Sequence, residues 1–427
     1  MAESCASDTV FSMKKVALVL IGCMLVSSVL TASYMWWSAR PEPGRDARVE
    51  FDGVSYGLSS IKTPILDSLG AKCAPRPQTA LGSNEEWPDA QVSPDPSYRD
   101  ALPDELREVY DCILVCLPSE SSQWQGMALS VARPCFEENV IDLSTKVGFV
   151  KTFTAMGALL KTYPKLTFFC HESGHKAGAA AFAAGVPLEE ALPVVGDNCV
   201  HGAVHGLLDG FSLSSPSIED FDKVADICQK LDGAAAGGCT DGMGHAAWDA
   251  FKDFKLTSEA CRTIESLDLR YACDEGVLMR RYERIGSVKG NTTEDYKELT
   301  ASLRKDCATW AEVAVSRADE PAGPASGCYA GVQYMLWEPI VVFTREYPEE
   351  RWRGVPNMQE LIDEVLYTCA SFGKSGEDLC RARDGYHIAT ATNYKTEDFE
   401  PMCALLRTKV ETCVELANKL TRENSAG

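Results

Sequence analysis

Four stretches of the chain share the pattern Cys-x-x-Gly followed by an apolar, helix-like run. They begin at Cys199, Cys239, Cys273 and Cys328, with Gly202, Gly242, Gly276 and Gly331 three positions on. Three carry a second cysteine upstream: Cys228 before Cys239, Cys261 before Cys273, and Cys307 before Cys328. Each unit reads as a helix, a turn, and a second helix starting at the Cys-x-x-Gly. The segment at Cys170 is a shifted cousin, and Cys369 with Cys380 mark a degenerate one. A supersecondary unit that repeats in this way buries its apolar face against its neighbours, which is the logic of helical-hairpin arrays. From about residue 104 onward Ala-rich and Leu-rich stretches dominate, and period-2 runs of Val, Ile and Thr are scarce. The expected fold class is therefore all-α: repeated disulfide-stapled helical hairpins forming one ectodomain, preceded by a single transmembrane helix. A disulfide within each hairpin would stabilise it by about 2–4 kcal/mol through loop closure, although spacing alone leaves the connectivity open.

The cysteines also bear on the compartment. Of eighteen, sixteen follow residue 70, and none is spaced as in a zinc ribbon or a covalent haem site. Scattered cysteines in a domain of this size imply disulfides formed under oxidising conditions, against the weaker reading of a reduced cytosolic chain rich in buried thiols. Residues 16–37 carry no charge and follow Lys14 and Lys15, a length suited to one bilayer crossing, with Trp36 and Trp37 at the far interface. A signal peptide starting near Met13 competes with this, but no small-residue cleavage site follows; a lipobox-like stretch ends at Cys23, yet apolar residues continue beyond it. Arg40, Arg45 and Arg48 leave the positive-inside count ambiguous, so the cysteines decide orientation. The expected organisation is a cytoplasmic tail (residues 1–15), a signal anchor (16–38), a Pro- and Gly-rich stalk (39–100) to which Cys73 belongs, and a cysteine-rich ectodomain (101–427) in an extracellular, periplasmic or luminal space. The membrane is thus the one partner implied. A net charge of −21 repels phosphate backbones and excludes nucleic acid as a partner.

Histidine usage is the second constraint. There are six, and His171, His175, His201, His205 and His245 fall in one stretch, with His387 far downstream. His171 and His175 are four apart, as are His201 and His205; on a helix such pairs face one side about 6 Å apart, suiting two imidazoles on one metal. Aligned on the repeat cysteine, position +2 reads His201, Asp241, Glu275 and Ala330, while position +6 reads His205, His245, Met279 and Tyr334. One slot of the repeat thus points at a common centre, its ligand character fading along the array. A single histidine in such a place would more simply cap a turn or bond a buried carbonyl; five together argue for metal ligation. The residues from His171 to His175 also match H-E-x-x-H, the zinc-protease signature, with Gly174 disfavouring the rigid helix that signature needs.

The expected cofactor is a transition metal ion, zinc, iron or copper, on His171, His175, His201, His205 and His245. Carboxylates at Glu172, Asp209, Asp241 and Glu275 favour iron, manganese or zinc over copper. One mononuclear site and a two-metal site are both permitted, and bis-histidine haem ligation would leave histidines to spare. Glu172 and Asp241 are the candidate catalytic carboxylates, each positioned to act as base to a metal-bound water, or else to serve only as a helix N-terminal charge. No phosphate loop and no G-x-S-x-G elbow occurs in the sequence, so nucleotide-driven and serine-hydrolase chemistry find no support. The sequence therefore reads as a membrane-anchored metalloenzyme, oxidative with iron or copper or hydrolytic with zinc. The alternative is a metal-binding receptor or scaffold with a structural metal or disulfides alone. Asn291 heads a glycosylation sequon.

Overall fold

A computed structural model of the protein describes residues 97–116, 127–163, 166, 170–196, 198–283, 293–345, 351–392 and 394–426, together with four two-residue strands before them. Glu50–Phe51 and Val54–Ser55 pair antiparallel, Glu50 opposite Ser55; the other two strands are Leu58–Ser59 and Arg76–Pro77. All remaining elements are helices, as the scarcity of period-2 runs leads one to expect.

Four helices precede the histidine-rich region: α1 (Ser97–Asp100), α2 (Asp104–Leu114), α3 (Met127–Leu143) and α4 (Phe149–Thr162). They are followed by α5 (His171–Ala183), α6 (Leu188–Val195), α7 (Gly202–Ser212), α8 (Ile218–Cys228) and α9 (Gly233–Phe251). Next come α10 (Phe254–Cys261), α11 (Leu267–Glu283), α12 (Thr293–Val313) and α13 (Ser326–Arg345). The series closes with α14 (Met358–Ala370), α15 (Gly373–Cys380), α16 (Asp384–Ala391), α17 (Phe399–Ala404) and α18 (Val410–Ala426). Local chemistry sets several of these starts. The Ser217 hydroxyl accepts from the Asp220 amide while the Asp220 carboxylate accepts from the Ser217 amide, a capping box that opens α8; at α10 the Asp253 carboxylate accepts from the Leu256 amide, a one-way cap.

The helices fall into two ladders. The inner one runs α5, α7, α9, α11, α13, α16, each packed on the next; the outer one runs α4, α6, α8, α10, α12, α14. Disulfides tie the ladders together at Cys228–Cys239, Cys261–Cys273 and Cys307–Cys328, with Cys369–Cys380 in the degenerate unit. These are pairings within hairpins. Three further bonds are Cys116–Cys135, Cys403–Cys413 and Cys170–Cys199, and Cys112 is disulfide-bonded as well. Closing a loop of about 15 residues stabilises by about 3 kcal/mol in the chain-entropy view, so many short staples support a fold with many small layers. One detail differs from expectation: α9 and α11 begin more than a turn before Cys239 and Cys273, so these cysteines lie inside the helix rather than at its start.

The inner ladder is unusually close. A side-chain carbon at Gly206 would overlap the carbonyl oxygen of His175, and one at Gly202 that of His171. The same holds further along, where Gly244 faces the carbonyl of Cys273 and Gly276 that of Asp241. Glycine on the repeat thus lets backbones touch, and side chains flanking the contact are driven together. Elsewhere burial follows ordinary rules, down to a buried charge cluster in which Arg262 meets Asp274 at 2.9 Å and Glu320 at 2.7 Å. Buried charges persist only when paired in this way.

No helix among the described residues is long and apolar enough to cross a membrane. The segment 16–37 expected to do so, most of the stalk, Cys73 and Asn291 lie outside the described residues.

Candidate metal centre

α5 opens on His171, and His175 follows one turn later, so the two rings share a face with centroids 4.9 Å apart. Glycine contacts seat α7 against that face and bring His205 to 6.0 Å from His171 and 5.3 Å from His175. α9 adds Asp241 and His245. Asp241 Oδ2 lies 3.0 Å from His205 Nε2 and 3.8 Å from His245 Nε2, and the His205 and His245 rings are 4.7 Å apart. Two groups result, His171 with His175 and His205, and His205 with Asp241 and His245, each with its ligand atoms within 4.8 Å of one another. Four of the five expected histidines therefore meet, together with one of the two expected catalytic carboxylates.

Tautomers follow from the partners. His171 Nδ1 lies 3.0 Å from the carbonyl oxygen of Cys199 and 3.1 Å from that of Val200. Carbonyls only accept, so Nδ1 carries the proton and Nε2 keeps the lone pair. His175 Nδ1 lies 3.1 Å from the Asp209 carboxylate and donates to it for the same reason. An imidazole whose far nitrogen is held by a carbonyl or carboxylate is the usual form of a metal-ligating histidine, because that bond fixes the ring and raises its basicity. Asp209 is itself held. Arg280 approaches it at 3.4 Å and grips Asp249 at 2.5 and 2.6 Å, linking α5, α7, α9 and α11 in one polar chain.

The carbonyls that hold His171 belong to a backbone turn under strain. Cys199, Val200 and His201 have φ of 58°, 50° and 64°, three consecutive non-glycine residues in the left-handed region. Each such residue costs about 1–2 kcal/mol, most plainly the β-branched Val200. The turn is held by the Cys170–Cys199 bond at one end and continues into α7 at the other.

His245 is buried, and neither ring nitrogen has a hydrogen-bond partner among the described residues. Burial, reinforced by neighbouring His205 and Arg280, pushes its pKa well below the usual value, so the ring is neutral with a lone pair to give. A buried imidazole with both nitrogens unsatisfied is costly, and a bound cation would remove that cost. No family model, curated protein or solved structure matches this chain. Function is accordingly read from these side chains alone.

Two of the expected site residues stand outside both groups. Glu172 faces outward, 53% exposed, in ion pairs with Arg133 at 2.5 Å and Lys176 at 3.3 Å. Although H-E-x-x-H is helical here, its glutamate is engaged at the surface while its histidines turn inward. His201 sits at the left-handed turn with its ring against Gly238, 6.3 Å from the His205 ring. It is not in helical register with His205, because α7 begins one residue later. His387 is separate again, stacked on Trp337 at 5.8 Å; burial, with Arg383 nearby, lowers its pKa to about 3. Glu275 pairs with Arg383 at 3.0 Å, and burial raises its pKa to about 7 against the pull of that arginine.

Sequence reasoning missed Arg280 and Asp249, whose role depends on which helices become neighbours. Asp209 was visible only as a carboxylate near the histidines. Changing Asp209 to Asn keeps its shape but weakens the bond to His175, so metal affinity should fall by about 10–100-fold with stoichiometry unchanged at saturation. A competition titration with a chromogenic chelator measures this.

Proposed function

We propose that this protein is a metal-dependent enzyme whose centre takes a transition metal ion on His171, His175 and His205. The observation carrying this reading is convergence of imidazoles from two helices, two of them with Nδ1 already held by an acceptor. Such rings are oriented before any ion arrives. Mixed nitrogen and carboxylate surroundings favour zinc or iron over copper. Zinc would supply a water of lowered pKa for hydrolysis, and iron would supply electron transfer for oxidation.

Openness to solvent bears on the choice between catalysis and structure. A structural zinc site is closed by four protein ligands, whereas a catalytic one keeps a position for water or substrate. His171 and His175 are half-buried, so the α5 side of the centre reaches solvent, while His205 and His245 are buried. Asp241, between His205 and His245, is the carboxylate that would accept a proton or ligate an ion there. Glu172 is occupied elsewhere, so we assign it no role at the centre. The cysteine-rich fold fits an oxidising compartment, with residues 16–37 as the membrane anchor.

The burial of His205 and His245 favours the second reading, a scaffold with a structural metal, and the two differ in what metal removal does. Elemental analysis of the purified full-length chain should find transition metal near stoichiometry: zinc for hydrolysis, iron for oxidation. After chelation, helical circular dichroism should persist if the disulfides hold the fold, whereas collapse would identify a structural metal. A chain that binds neither metal, even after supplementation, would sink both readings.

A further inference from the structure

The geometry points to a second metal ion beside the first, held by His205, Asp241 and His245, so that the centre is binuclear. This rests on the reading above and extends it. With metal–nitrogen bonds of about 2.0–2.1 Å, two ligands of one ion stand at most about 4.2 Å apart. Each group, with its atoms within 4.8 Å, approaches that limit and needs only small side-chain adjustments to meet it. The five residues taken together do not: among the described residues they form two overlapping groups rather than one. The ligand atoms of His171 and His175 on α5 thus do not all lie within 4.8 Å of those of Asp241 and His245 on α9, and the backbone contacts of Gly202 and Gly206 hold α5 against α7.

Two independent features on the α9 side ask for a cation. His245 is buried, and among the described residues neither of its nitrogens has a hydrogen-bond partner. Asp241 directs one oxygen between two imidazole nitrogens, 3.0 Å from His205 and 3.8 Å from His245. Imidazoles and one carboxylate form a donor set for zinc or iron rather than for calcium or magnesium, which prefer all-oxygen ligands. His205 belongs to both groups: a neutral imidazole has one lone pair to give, so serving both ions takes the imidazolate, one ring nitrogen on each ion and the proton released to solvent. Two ions at one centre can act on one substrate, which names the substrate class: a group with an oxygen to polarise, as in ester, phosphoester or amide hydrolysis.

The test uses the full-length chain equilibrated with Zn²⁺, passed through gel filtration and analysed for metal per protein. Wild type should hold two equivalents. H175A should lose one and keep the other, and so should D241N, which preserves shape and avoids a cavity if H245A folds poorly. Circular dichroism verifies that each variant is folded. One equivalent in wild type, lost alike in H175A and D241N, would show a single ion and overturn the second site while leaving the first reading intact. Two equivalents unaffected by D241N would likewise overturn it. No zinc at all would instead defeat the metal reading itself.

Discussion

Replacing His205 with Ala should strip the protein of metal altogether, while replacing His201 with Asn should leave metal content unchanged. The two histidines are four residues apart and equally attractive in the sequence, so the contrast is a demanding one. His205 is the residue common to both ligand groups, and its Nε2 is 3.0 Å from Asp241. Losing it leaves His171 and His175 alone on one side, and Asp241 and His245 alone on the other. Two-ligand remnants hold a divalent ion weakly, so a loss of at least about 100-fold in affinity is expected on each side. His201 belongs to neither group, and its backbone is left-handed, a conformation that Asn tolerates better than most residues. The disulfides should form in both variants, as counting free thiols under denaturing conditions would verify. Retained metal in H205A, or loss in H201N, would break the assignment of the centre.

The second large effect concerns the scaffold. Gly206→Ala should destabilise the protein by at least about 1–3 kcal/mol, the range found for overpacking, and should weaken metal binding with it. The new methyl group would meet the carbonyl oxygen of His175, which is main chain and cannot rotate away. α5 and α7 must then separate, widening the 5.3 Å spacing between His175 and His205. Gly237→Ala is the matched control. It lies within α9 with no atom within 4 Å of the added carbon, so the substitution should be neutral or stabilise by up to about 1 kcal/mol. Thermal melts of the two variants beside wild type decide the matter. A melting temperature for G206A equal to that of wild type would mean that the inner ladder is looser than its backbone contacts imply.

Much of this architecture was legible in the sequence because the repeat is short and its chemistry local. Spacing left the pairing of the repeat cysteines open, and the structure closes it within hairpins, as at Cys228–Cys239 and Cys261–Cys273. Helix period alone places His171 beside His175. Alignment of the repeats brought forward His205, Asp241 and His245, which the structure gathers across α7 and α9. The misreading of His201 comes from the turn before α7. Nothing in Cys199, Val200 and His201 signals left-handed backbone, since glycine or asparagine would be the ordinary sign. That turn removes His201 from helical register, and it supplies the carbonyls that hold His171. Glu172 was misleading for a simpler reason: Arg133, its partner at 2.5 Å, is distant in sequence.

The clamp at Cys170–Cys199 carries a consequence for how the protein matures. Its bond ties down the strained turn whose oxygens orient His171, so joining these two sulfurs helps to place the first proposed ligand. Before oxidation the nascent chain presents many thiolates, softer donors than imidazole, which would seize zinc or iron and hold it at the wrong addresses. On the metal reading proposed above, folding favours an order of events, sulfur chemistry first and metallation second. On that reading, a cell making this protein would deliver electron acceptors to it ahead of ions.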